Sequence, residues 1–140
     1  MCIRDRPLAL QRTSHVLHLT TTVKAHLKPG VDALDVLAAA FPAGTVSGAP
    51  KIRAMQIINS LEKNKRCAYA GAVGYFGFDG SHDSCITLRT CLLKDGKAYV
   101  QAGAGVVADS NPTYEYEETV NKAKGMLRAI ALAKTMGPDN

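Results

Sequence analysis

Three charged residues have a spacing that could bring them together on one surface: Glu115, Glu118 and Lys122. Asn111 can cap a helix and Pro112 suits its first position, because the proline ring presets φ and its missing N–H would have no intrahelical partner. Positions i, i+3 and i+7 lie on one helix face, so the three charges would project together from the first two turns. Two carboxylates beside an ammonium suit an anion bridged by Mg²⁺, which binds one or two carboxylates and completes its shell with water and substrate oxygens. The same residues are also typical of a solvated acidic first turn that the helix dipole favours.

A histidine in a predicted strand is a second candidate for chemistry. Residues 14–23 alternate, with Leu17, Leu19 and Val23 on one face and His18 in the polar row of the other. This pattern predicts a strand with one apolar and one polar face. His18 could handle a proton there, although a lone strand histidine is more often structural or merely exposed.

Three later runs of alternating residues predict strands at 67–78, 83–93 and 97–107. Turn signals at residues 78–81 and 94–97 connect them as an antiparallel meander. Alternation in the second run places Arg89 on the face opposite the buried side. The third run ends in Gly103-Ala104-Gly105, and glycine weakens a strand unless another group must approach its backbone closely.

The remaining segments have helical periodicity. Residues 31–41 predict a short packing helix, residues 49–64 a second helix with an apolar stripe, and residues 112–134 a long final helix. The loop before the second helix contains Ser47, which with its neighbours is a candidate N-cap, and a glycine-bearing loop of this kind can cradle an anion. It lacks both the Gly-Lys-Ser/Thr ending of a phosphate-binding loop and the glycine pattern of a dinucleotide site. Strands and helices together predict a mixed α+β fold.

Composition is typical of one domain with a hydrophobic core, because 46% of the 140 residues are apolar and no low-complexity run occurs. The net charge of +5 is modest, and the cations are scattered except at residues 63–66. Those cations fall where a helix should end and would complement its dipole, so nucleic-acid binding is disfavoured. A small basic binding module would need Lys and Arg interleaved with aromatic residues on one surface, and the sequence has no such pattern.

Cysteine spacing and hydropathy indicate a cellular location. The four cysteines form no Cys-x-x-Cys pair and have no histidine at zinc spacing, which favours reduced thiols. Cys67, Cys85 and Cys91 are expected to be small packing residues. No segment reaches the roughly 20 apolar residues that span a bilayer, and the N-terminus lacks the apolar core of a signal peptide. We therefore expect a cytoplasmic protein with no membrane partner.

The order of these segments resembles the C-terminal part of the chorismate-utilising enzymes, and within them most closely the branch of anthranilate synthase component I. The resemblance runs from about residue 14 to residue 134. It rests on five motifs, which are HLTTTV at 18–23, the loop and helix at 41–55, YAGAVGY at 69–75, ITLRT at 86–90 and QAGAG at 101–105. The charged triplet of the final helix follows them. The resemblance implies that the α+β fold is part of a chorismate-binding antiparallel β-sandwich flanked by helices.

Carried over position by position, the resemblance implies a role for each candidate residue. Glu115 and Glu118 would help to hold Mg²⁺ at the ring carboxylate of chorismate. Arg89 and Tyr69 would recognise the enolpyruvyl carboxylate, a planar anion that suits a guanidinium fork better than an ammonium. The remaining positions are the Gly103-Ala104-Gly105 backbone and Lys122, near the substrate, and His18 and Thr45, around its ring. His18 would handle a proton at the ring hydroxyl that leaves, or position it.

The implied reaction is a Mg²⁺-dependent lyase reaction of tryptophan biosynthesis. Chorismate would be aminated at C2 by ammonia with loss of the C4 hydroxyl, and elimination of pyruvate would leave anthranilate. A glutamine amidotransferase subunit or domain would deliver the ammonia. The loop at 44–51 resembles anthranilate synthases, whereas aminodeoxychorismate synthases of folate biosynthesis more often have Ser and then Thr at the positions of Thr45 and Ser47. The folate enzyme is the alternative within the family.

The domain boundaries carry a further expectation. Residues 1–6 have no hydrophobic periodicity and no capping pattern. They are expected to be a non-native scar of cloning or sequence assembly. Residues 7–140 would then be an incomplete catalytic domain, because the family's further metal-site carboxylates and its Thr-Arg-Pro segment lie upstream of the His18 strand. Such a fragment would supply half a pocket and leave strand edges unpaired. A truncated product without activity is therefore an alternative to a working enzyme.

Overall fold

The computed structural model describes the backbone of residues 2–12 and 17–137. Along the chain the elements are β1 (Cys2–Arg12), β2 (Leu17–Ala25), α1 (Ala33–Ala40), α2 (Gly44–Ser47), α3 (Lys51–Leu61), β3 (Ala72–Phe76), β4 (His82–Ile86), β5 (Cys91–Lys94), β6 (Lys97–Val100) and α4 (Pro112–Thr135). They form two units, one up to Ala38 and one from Ala39 onward. The α+β class predicted from the sequence is confirmed.

The first unit contains an antiparallel hairpin of β1 and β2. The register runs from Cys2 opposite Ala25 to Arg12 opposite Leu17, with irregularities between residues 4 and 9. The strand predicted at 14–23 is thus confirmed as β2 over its described part, while residues 14–16 lie outside the described residues. The apolar face of β2 is uncovered, since Leu19 is 68% exposed. Residues 2–6 lie in β1. The non-native origin of residues 1–6 stays a prediction.

Helix α1 confirms the packing helix predicted at 31–41, with both ends shortened. Two aspartates fix its start: the Asp32 N–H donates to Asp35 Oδ2 at 3.1 Å, and the Asp35 N–H donates to Asp32 Oδ1 at 3.0 Å. This reciprocal bonding satisfies N–H groups that have no partner within the helix. Of its leucines, Leu37 is half-buried and Leu34 is exposed.

Residues 43–64, which were predicted to form one loop followed by one helix, form two helices, α2 and α3. Pro50 is the N-cap of α3 and supplies no side-chain bond, so the predicted Ser47 cap is wrong. Ser47 instead ends α2, where it is buried and its hydroxyl donates to the Ala43 carbonyl at 2.9 Å. Gly48 separates the two helices with φ of +94°, and a Cβ there would lie 2.8 Å from the Ala54 Cβ. A side chain at this position would therefore be both strained and crowded.

Four short strands form two separate hairpins, so the predicted meander of three long strands is wrong. Strand β3 pairs with β4, and β5 pairs with β6, each pair antiparallel and in its own two-stranded sheet. The predicted turns are confirmed. In particular Asp95 and Gly96 form a two-residue loop with φ of 51° and 69°, the backbone of a type I′ turn.

The second predicted strand is interrupted immediately after β4. The Leu88 N–H donates to the Ile86 carbonyl at 2.8 Å, which closes a three-residue turn and ends the strand. Arg89 follows with φ of 51°, in the left-handed region. Backbone bonds between Thr87 and the segment 70–71 extend the β3–β4 pairing by one step and no further. Strands β4 and β5 therefore do not pair.

No β-sandwich is shown among the described residues, and that their sheets belong to a larger sandwich stays a prediction. Of the residues with described side chains, only Ala70 and Ser47 are buried. On α4, Ala123 and Ile130 are half-buried while Leu127 is 53% exposed. Apolar faces that a second layer would cover in a sandwich are thus open.

The structure also bears on the predictions about the cysteines and about membrane crossing. The described cysteines are free thiols, but Cys67 and Cys85 are exposed, so the prediction that they pack inside is wrong, and Cys91 is half-buried. Within residues 2–12 and 17–137, no helix combines the length and the apolar character that crossing a membrane requires.

Candidate active site

The N-terminus of α4 forms as the sequence predicts. Asn111 Oδ1 accepts hydrogen bonds from the backbone N–H groups of Thr113 at 3.0 Å and Tyr114 at 3.2 Å, and Pro112 occupies the first helical position. The Asn111 carbonyl accepts the Glu115 N–H at 3.0 Å, which begins the helical ladder. This cap determines which residues occupy the first turns, so Glu115 and Glu118 lie on one face of α4 as expected.

Ser110 orients the Glu115 carboxylate. Its hydroxyl donates to Glu115 Oε1 at 2.7 Å and accepts the Val107 N–H at 3.0 Å. Both residues of the Ser110–Glu115 pair are half-buried. A hydroxyl that is itself fixed by a backbone donor restricts the rotamer of the carboxylate it binds. Ser110 is not among the residues predicted from the sequence, and its position directly before the Asn-Pro cap is the signal that could have indicated it.

Lys122 connects α4 to the glycine-bearing segment. Its ammonium contacts Glu118 Oε1 at 3.0 Å and donates to the Gly103 carbonyl at 3.2 Å. As a surface ion pair one turn apart on a helix, the Glu118–Lys122 contact contributes only about 0.3–0.5 kcal/mol to stability. Its importance lies in geometry, because a residue of the helix face is held against a backbone 19 positions earlier in the chain.

Tyr69 also lies close to Gly103. A Cβ built on Gly103 would lie 2.8 Å from the Tyr69 hydroxyl oxygen, closer than real Cβ atoms approach. No such crowding occurs at Gly105, where nothing lies within 4 Å of the added Cβ. The predicted strand over this segment is wrong, since β6 ends at Val100. The structure nevertheless brings together Tyr69, Gly103, Lys122 and Glu118, four of the predicted site residues.

A tight turn positions Tyr69. Its backbone N–H donates to the Arg66 carbonyl at 2.9 Å, and positive φ values at Cys67 and Ala70 bracket it. The Arg66 guanidinium lies 5.8 Å from the centre of the Tyr69 ring. Arg66 also binds Glu62, and this pairing lowers the pKa of Glu62 and raises the pKa of Arg66, chiefly through their side-chain hydrogen bonds. Both groups therefore keep their charges over a wider pH range.

Arg89 is placed differently from the prediction. It lies in the bend after β4 rather than on the polar face of a strand, because the turn at Leu88 has already ended the pairing. Its side chain is exposed and makes no hydrogen bond or ion pair within the described part of the chain. Nothing in the structure tests whether it binds a carboxylate.

Two further predicted residues, Thr45 and His18, belong to other elements. Thr45 is exposed within α2. His18 belongs to the first unit, where its backbone pairs with Gln11 in the β1–β2 hairpin, and its side chain lies outside the described residues. Their proposed roles around a substrate ring are therefore untested.

The donor set on α4 suits Mg²⁺. One oxygen of Glu115 and one of Glu118 are engaged, and the second oxygen of each carboxylate makes no hydrogen bond to any described residue. No group of three or more His, Cys, Asp or Glu residues in the described chain could hold a metal ion. Mg²⁺ needs no such group, because it binds through one or two carboxylates and takes its other ligands from water and substrate.

The sequence of the chain matches a known protein family. The sequence profile of a family described as chorismate binding enzyme matches residues 4–128. The chain belongs to this chorismate-binding family. The match confirms the resemblance found in the motifs.

Several proteins similar to this chain bear the name anthranilate synthase component 1. The anthranilate synthase component 1 of Aquifex aeolicus is 56% identical over 127 residues, which are 91% of this chain and 26% of that protein. The component 1 of Acetivibrio thermocellus is 57% identical over 121 residues, 86% of this chain and 24% of that protein. The chain thus spans about a quarter of the length of these relatives.

Two solved structures have the same local fold as this chain. The crystal structure of anthranilate synthase component I from Streptococcus pneumoniae matches 89% of this chain and 29% of its own, with a TM-score of 0.86 and 51% identity. A putative 2,3-dihydroxybenzoate-specific isochorismate synthase from Bacillus anthracis matches 94% of this chain and 36% of its own, with a TM-score of 0.85 and 29% identity. Helices and antiparallel hairpins in this order therefore occur in more than one branch of the family.

Proposed function

We propose that this chain supplies part of the chorismate site of an anthranilate synthase component I. One observation carries the proposal: Tyr69, Gly103, Lys122 and Glu118 come from separate parts of the sequence and meet in one cluster. The identity of over 50% to anthranilate synthase components supports this branch more strongly than the 29% identity to an isochorismate synthase.

The cluster has the chemistry to bind a dianion. Chorismate carries two carboxylates, and Lys122 offers a cation whose ammonium has three donors. Two of these donors face Gly103 and Glu118, so the third can bind a carboxylate oxygen. The Gly103-Ala104-Gly105 backbone lies outside any strand and keeps its N–H groups out of the sheet ladders. Tyr69 adds a phenol beside the same backbone.

Glu115 and Glu118 would hold Mg²⁺ through the carboxylate oxygens that make no hydrogen bond to any described residue. When bound, the ion would serve as a Lewis acid and a template for the ring carboxylate. Ser110 would keep the Glu115 carboxylate in a single orientation for this purpose. Lys122 would offset the negative charge of Glu118 and hold that side chain in place.

Arg89 would recognise the enolpyruvyl carboxylate together with Tyr69. A guanidinium presents two parallel donors that match a planar carboxylate, and the Arg89 side chain is exposed with no described partner competing for it. His18 and Thr45 would lie around the ring, with His18 transferring a proton to the departing C4 hydroxyl or positioning it.

The proposed reaction balances with ammonia as the second substrate. Ammonia adds to C2, the C4 hydroxyl leaves as water after protonation, and loss of the C2 proton with the enolpyruvyl group releases pyruvate and anthranilate. A glutamine amidotransferase subunit or domain would deliver the ammonia, and the reaction would serve tryptophan biosynthesis in the cytoplasm. The Thr45 and Ser47 pair favours this product over the aminodeoxychorismate of the folate branch.

Product analysis tests the proposal. Because the chain spans a quarter of its relatives, it is best placed in a chimera, in which it replaces the segment that it matches in the Aquifex aeolicus component 1. With chorismate, Mg²⁺ and ammonia, the chimera should form anthranilate and pyruvate in equal amounts. Accumulation of aminodeoxychorismate would move the chain to the folate branch, and isochorismate would move it to the branch of the second structural neighbour. A folded chimera without any product would contradict the proposal.

A further inference from the structure

Arg66 contacts three separate parts of the chain: Glu62, Val46 and Tyr69. Its Nε donates to Glu62 Oε2 at 2.9 Å and its Nη2 to Glu62 Oε1 at 2.6 Å. This is a two-pronged pairing between a guanidinium and a carboxylate, which fixes direction as well as distance. Glu62 is the C-cap of α3, so the pair anchors Arg66 to the end of that helix.

The same guanidinium reaches a second element. Its Nη1 donates to the Val46 carbonyl at 2.6 Å, across 20 positions of sequence. Val46 lies in the four-residue helix α2, beside Thr45, and carbonyl groups at the end of a helix have no partner within it. Arg66 therefore satisfies one of these groups and ties α2 to the end of α3.

The third contact is with Tyr69. The Arg66 carbonyl accepts the Tyr69 N–H, and the Arg66 guanidinium lies over the Tyr69 ring at 5.8 Å from its centre. A cation at this distance is attracted to the face of an aromatic ring. One residue thus restrains both the backbone and the ring of Tyr69, whose hydroxyl occupies the space beside Gly103.

We infer that Arg66 is a positioning residue that holds Tyr69 against Gly103 and so fixes the enolpyruvyl end of the proposed chorismate site. The contact between Arg66 and Tyr69 does not depend on the proposed function. Only the expected effect on chorismate binding rests on it. Arg53 shows how an ordinary surface arginine of the same region behaves: it is exposed and makes one side-chain bond, to Gln56 at 3.3 Å. Arg66 instead joins α2, α3 and the Tyr69 turn.

The first test measures the Tyr69 ring without substrate. A fluorotyrosine at position 69 of the chimera reports its surroundings through its ¹⁹F chemical shift. Arg66→Lys keeps the charge but loses the planar fork, so the ¹⁹F signal should shift and broaden, while Arg53→Lys should leave it unchanged. An identical signal in the Arg66→Lys and parent proteins would overturn the inference whatever the enzyme's activity.

The second test is a double-mutant cycle in the chimera. Arg66→Lys and Tyr69→Phe should each raise KM for chorismate about tenfold with little change in kcat, the cost of one hydrogen bond to a charged group. The double variant should be no worse than the poorer single variant, because Arg66 acts through Tyr69. Multiplicative effects on KM would show that Arg66 acts independently and would contradict the inference.

A further variant keeps the test decisive if Arg66→Lys lowers stability. Glu62→Gln retains the guanidinium and removes its ionic partner, so it should raise KM in the same direction by a smaller factor and leave the thermal unfolding midpoint near that of Arg53→Lys. If Tyr69→Phe leaves KM unchanged while the ¹⁹F signal responds to Arg66→Lys, the substrate role of Tyr69 is wrong and the positioning contact stands. These outcomes separate the inference from the proposed function.

Discussion

The Lys122 ammonium lies between the Glu118 carboxylate, at 3.0 Å, and the Gly103 carbonyl, at 3.2 Å. This contact joins the acidic face of α4 to a backbone segment, 103–105, that belongs to no strand. The Tyr69 hydroxyl also lies close to the same glycine. The candidate site is therefore organised around Gly103, which has a cation and a phenol beside it.

The absence of a side chain at Gly103 should be essential. Gly103→Ala would place a Cβ 2.8 Å from the Tyr69 hydroxyl oxygen, so Tyr69 must move. Because small displacements of binding groups are costly, we expect KM for chorismate to rise about tenfold or more in the chimera. Gly105→Ala is the matched control, because its Cβ would meet nothing within 4 Å. Equal kinetics in the two variants would argue against a close approach of Tyr69 to Gly103.

Removing the Ser110 hydroxyl should weaken the proposed metal site. Ser110→Ala frees the Glu115 carboxylate to rotate, and loss of such outer contacts typically lowers metal affinity about 10–100-fold. Titration calorimetry of Mg²⁺ into the chorismate-bound chimera measures this directly. Ser60→Ala serves as the control, since its hydroxyl bonds only to the Ile57 carbonyl on exposed α3. Unchanged Mg²⁺ affinity in Ser110→Ala would show that Ser110 does not orient a metal-binding carboxylate.

Arg89 should bind a carboxylate through its fork. Arg89→Lys keeps the charge and loses the two parallel donors, so chorismate should bind about tenfold more weakly to the chimera, as judged by equilibrium titration. Arg128→Lys changes an exposed arginine of α4 in the same way and should have no effect. If both variants bind chorismate like the parent, Arg89 is an ordinary surface residue.

The isolated chain should be inactive and loosely packed. Phe78 is fully exposed, Leu93 is 75% exposed, and each sheet has only two strands, a number that is marginal in water. Such open apolar faces and strand edges favour association. We expect the chain to bind a hydrophobic dye, to self-associate as concentration rises, and to show no turnover with ammonia. A monodisperse chain that unfolds cooperatively and converts chorismate would refute this expectation.

Local chemistry determined which structural features the sequence could predict. The Asn111-Pro112 cap and the Asp95-Gly96 turn formed as expected, because each depends on a few neighbouring residues. The bend at Arg89 was missed, since it depends on where the partner strand β3 begins, and alternation within one strand does not report that position.

The site itself was predictable only in part, for a similar reason. Helical spacing placed Glu115 and Glu118 on one face without further information. The approach of Tyr69 to Gly103 and the bond from Arg66 to the Val46 carbonyl join residues 20 or more positions apart, and no sequence period encodes them. The motif order of the family indicated Tyr69 and Gly103 as site residues but gave no reason for Arg66.

The most direct test of the account is the dependence of chorismate binding on Mg²⁺ in the chimera and in its Glu118→Gln variant. The amide keeps the shape of the side chain and removes its charge, so the fold should persist while Mg²⁺ binding through Glu118 is lost. Titration calorimetry with and without Mg²⁺ should show that the ion tightens chorismate binding to the parent chimera and has no effect on the variant. The same Mg²⁺-dependent tightening in both proteins, at limiting Mg²⁺ and with unchanged turnover, would contradict the assignment of this face of α4 to the chorismate site.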